Sequence, residues 1–173
     1  MSLNLPPHCA IATYNSAAGA VDGARALLVA GVDVNRLSVA GKQVGVPNET
    51  LGFYTVGKAP KFWGKQSDSW NRLSLELCES GLFVTPEGPL VVMGPLVGCL
   101  VAALEGIQAP SAAGIVSAAL VRIGAPAAES VKLQAVLAAG RVLIVVLGSS
   151  NLLSRVDEIL APTRPLVVAS YSA

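Results

Sequence analysis

The segment GFYTVGKA, residues 52–59, comes nearest to a catalytic signature, with Gly52, Gly57 and Lys58 in G-x-x-x-x-G-K spacing. A phosphate loop needs Ser or Thr after the lysine to reach the metal ion, and Ala59 stands there. The interior FYTV holds no glycine that would let backbone N–H groups curl around a phosphate. His8 is the single histidine, and it has no triad or metal-ligand spacing to Cys, Asp or Glu. Cys9, Cys78 and Cys99 are widely spaced and form no CxxC pair. They read as reduced, mostly buried thiols. Glu76 and Glu79 lie at i, i+3, a spacing that more often makes a solvated helix face than an acid–base pair. No catalytic residue, cofactor or metal site is therefore expected, and the chain reads as a non-enzyme.

Two other constellations suit interaction. Phe53, Tyr54, Phe62, Trp63 and Trp70 lie close together with Lys58, Lys61 and Lys65. Such a mixture serves stacking on single strands, a membrane interface or an interaction hot spot, but also an ordinary core with lysines in water. Gly94, Gly98, Ala102 and Gly106 fall four apart in the run VVMGPLVGCLVAALEG. On a helix, small residues at that spacing share one side and let another backbone approach. A membrane span needs about 20 apolar residues, and Pro89 and Gly94-Pro95 interrupt this run before that length. The expectation is a helical hairpin that packs on itself or on a second copy. The interaction residues it nominates are Gly94, Gly98, Ala102 and Gly106, with Trp63 and Trp70.

The composition supports that reading. Hydrophobic residues make up 53% of the 173 and charged residues 13%, so apolar surface must be buried or exposed. A net charge of +1 offers no field that would attract nucleic acid. MSLNLPPH lacks the basic and apolar regions of a signal peptide, so a cytoplasmic location is expected.

The elements that must position these residues fall into two similar ends. HCAIATY (8–14) reads as a strand, Asn15 or Ser16 as a helix cap, and the helix that follows stops at Gly31. VNRLSVAG reads as a half-buried strand, with Leu37 and Val39 on one face and Arg36 and Ser38 on the other. RVLIVVLG (141–148) reads as a central strand, SSNLLSRVDEIL as an amphipathic helix, and PLVVASYS as a closing strand. The expected fold is α+β: a ferredoxin-like split β-α-β sheet in one domain, residues 1–173. Residues 8–41 form its first half and 141–173 its second. Residues 42–140 form a large, mainly helical, glycine-rich insertion. Within the insertion, 51–56 reads as a strand and 61–80 as a helix. Pro86-Glu87-Gly88-Pro89 reads as a turn, and 95–105, 111–123 and 126–140 read as helices.

AGVDVNRLSVAGK, GFYTVGKAPKFWGK, GPLVVMGPLVGCLVAALEG and ESVKLQAVLAAGRVLIVVLG occur in this order. Together they resemble a family of small bacterial general stress proteins induced by heat or cold. That resemblance implies a ferredoxin-like domain interrupted by a glycine-rich apolar insert, and it implies no catalytic residue. Some members are labelled membrane proteins, whereas KQSDSWNRLSLELCES is polar here. The function expected is self-association of a stress-associated protein into a homo-oligomer through the insert. The alternatives are a regulatory module binding an unidentified small molecule at the insert or a subunit interface, and weak peripheral membrane association through the lysine-aromatic segment. Nucleic acid is not an expected partner.

Overall fold

The computed structural model describes residues 8–42, 77, 80–85, 88–106 and 115–172. Strand β1 (His8–Tyr14) leads into helix α1 (Ala17–Val29) and strand β2 (Leu37–Lys42). The insertion adds β3 (Ser80–Thr85), β4 (Gly88–Met93), α2 (Leu96–Gly106), α3 (Ile115–Arg122) and α4 (Ala127–Ala138). Strand β5 (Val142–Leu147), helix α5 (Ser150–Leu160) and strand β6 (Val167–Ser172) close the chain. The protein is α+β.

The six strands among the described residues join one antiparallel sheet in the order β3-β4-β2-β5-β1-β6. Strand β5 lies between β1 and β2, with Ile144 opposite Ala12 on one side and Val39 on the other. All six residues of VLIVVL are buried. Each such Val, Leu or Ile side chain contributes about 1.5–3 kcal/mol by leaving water, which makes β5 the spine of the fold.

Burial on both faces of β5 needs helices on both sides of the sheet. Ala10, Ala12, Tyr14, Ile144 and Val146 pack with Ala17, Ala20, Ala24 and Leu27 of α1 and Leu153, Val156 and Leu160 of α5. The alternate residues Cys9, Ile11, Leu143, Val145 and Leu147 pack with Leu96 and Leu100 of α2, Ala119 and Leu120 of α3, and Leu133 and Leu137 of α4. The strand period of two thus assigns each side chain to one of two cores.

Local chemistry sets the boundaries of the elements. The Ser16 hydroxyl accepts the Gly19 N–H at 3.2 Å and caps α1. Past its end, Gly31 adopts φ +97°, which favours glycine. Small residues face the sheet from α1 because the helix lies close to it. A Cβ added to Gly23 would collide with the Tyr14 hydroxyl and stand 2.8 Å from Ile144 Cδ1.

Two expectations need correction. The insertion, expected to be mainly helical, also supplies β3 and β4, which extend the sheet beside β2 with Thr85 opposite Gly88, and Gly88 and Pro89, expected in a turn, belong to β4. The continuous apolar run LVVM suits a strand buried on both faces, and pairing with β2 satisfies its backbone. Strand β2 is not half-buried either. Leu37 to Gly41 are buried on both faces, since the insertion's helices cover the side that Ser38 and Ala40 occupy. Arg36 belongs to a short 3-10 turn, Val34–Arg36, ahead of the strand.

Candidate functional site

The four-spaced small residues do not share one continuous helical side. Strand β4 ends at Met93, and Gly94 makes the turn into α2 with φ +90°. A Cβ there would strike the Leu37 carbonyl oxygen and lie 2.9 Å from Ser38 Cα, so only glycine fits. Gly94 therefore acts at the junction of β2 and β4, outside the helix. The buried Ser38 hydroxyl accepts the Leu96 N–H at 3.0 Å, which satisfies an amide that the first helical turn leaves unpaired.

Within α2 the two faces differ. Leu96, Val97, Cys99 and Leu100 are buried in the second core. Gly98 is exposed, and nothing lies within 4 Å of where its Cβ would stand. Ala102, one turn on, is half-buried. These two residues share the outward side, as their spacing requires. Gly106 is the last residue of the helix. Trp63 and Trp70 lie outside the described residues, as do the 52–59 segment, the neighbouring lysines, the 51–56 element and all of the expected 61–80 helix except Leu77 and Ser80, and Ser80 belongs to strand β3. Leu77 is described and is buried in the core beneath α1 and α5.

Polar side chains that the sequence reading passed over hold the insert helices together. The Ser117 N–H donates to Gln134 Oε1 at 3.0 Å, so α4 caps the start of α3. The Ser130 hydroxyl gives its proton to the Ala127 carbonyl at 2.7 Å. The contact between Ser117 Oγ and Ser130 Oγ, also 2.7 Å, must then be donated by Ser117. Exposed Val121 on α3 and Val131 on α4 add apolar surface to the insert helices.

Burial pushes the Cys9 thiol up to about 11. Burial also raises Cys99, against the opposing effect of nearby Arg122. Neither is a thiolate near neutral pH, so neither is an activated nucleophile. His8 begins β1, and its Nδ1 is buried with no hydrogen-bond partner among the described residues. Ser149 caps α5 through the Leu152 N–H at 3.4 Å, the ordinary role for that position. Among the described residues no group of three or more His, Cys, Asp or Glu is placed to hold a metal ion. No helix among them is long and apolar enough to cross a membrane.

No protein-family model, curated protein or solved structure matches the chain.

Proposed function

We propose that this chain is a non-enzymatic protein that associates with copies of itself through the outward side of α2, as a cytoplasmic, stress-associated factor. The observation that carries the reading is the pairing of exposed Gly98 with half-buried Ala102 on a helix whose opposite side is core. With no side chain at Gly98, a second helix can approach to backbone contact there, and dispersion and apolar burial reward the approach. Val121 on the adjacent helix enlarges the apolar surface.

The scaffold in this proposal is a ferredoxin-like split β-α-β sheet. Two features favour it. The order β2-β5-β1-β6 places the strand of the second half between those of the first, and α1 and α5 share one face. The insertion then extends the sheet edge and roofs its other face. The bacterial general stress protein family stays the proposed relative, on the sequence stretches alone.

Sedimentation velocity across a concentration series tests the function. Concentration-dependent assembly that Gly98→Leu weakens at least tenfold is the expected result. A monomer at tens of micromolar, or assembly indifferent to that substitution, overturns it.

A further inference from the structure

We draw no further inference here: the strongest candidate, the buried Nδ1 of His8 where β1 meets the Gly148 turn into α5, lacks a hydrogen-bond partner only among the described residues, and nothing in the structure shows what would bind it.

Discussion

The Leu96 N–H donates to the Ser38 hydroxyl at 3.0 Å, tying the first helical turn of the insertion to a strand of the N-terminal half. Fifty-eight residues separate the partners, so the contact belongs to the tertiary fold and not to a local cap. Ser38→Ala leaves a buried amide without an acceptor. The expected loss is about 1–3 kcal/mol in urea unfolding, with little change in helix content. A loss below about 0.5 kcal/mol would mean that the amide finds another partner.

Gly94 and Gly98 lie in one run of sequence and should respond oppositely to alanine. Gly94→Ala forces a Cβ against the Leu37 carbonyl at φ +90°. It should cost about 3 kcal/mol, visible as a lowered urea midpoint. Gly98→Ala places its methyl in open space on a helix. It should stabilise the isolated chain by about 0.5–1 kcal/mol. Equal and small effects at both sites would refute the assignment of Gly94 to the strand–helix turn.

Tyr14 and Thr163 form a relay. Thr163 gives its proton to the Leu160 carbonyl at 2.6 Å, so the Tyr14 hydroxyl must donate to Thr163 Oγ1, also at 2.6 Å. Tyr14→Phe should cost about 1 kcal/mol. Gly23→Ala, which overpacks the same phenol, should cost about 1–3 kcal/mol. The double variant should lose less than the sum, because the deleted hydroxyl is one of the atoms the new methyl strikes. Strict additivity in thermal unfolding would count against that contact.

The two ends of the chain were legible because each shows a strand or helix period with punctuation. VLIVVL, rich in β-branched residues, suits a strand covered on both faces, and Ser16 and Gly31 bracket a helix in the expected way. The insertion was harder to read. A brief apolar run such as LVVM in β4 looks the same in a strand as in a buried helix. The even spacing of Gly94 with Gly98 suggested one helical side, yet a positive φ puts Gly94 in a turn, and no periodicity reports that. Hydrogen bonds such as Ser38 to Leu96 depend on which strand lies beside which helix. A single serine in LSVAGK carries no trace of it. Of the candidate interaction residues whose burial is described, Gly98 and Ala102 come together on an outward surface.

Buried thiol and phenol groups give the fold an alkaline limit. Burial raises Cys9 from 9.0 to about 11, and burial likewise raises Cys99, Tyr14 and Tyr171. Each of these acids holds its proton more tightly when folded than when unfolded. Above pH 9 the unfolded chain therefore binds fewer protons than the native one, and stability falls as pH rises. The contribution from Cys9 is complete below about pH 9 and is lost as pH climbs through 11. Urea midpoints measured between pH 8 and 11 should decline, and Cys9→Ala should flatten the decline. A thiol reagent at pH 8 should leave Cys9 unmodified in the native protein and label it in denaturant, since the side chain is fully buried. Prompt native labelling of Cys9 would place it at the surface and contradict its position under the insert helices.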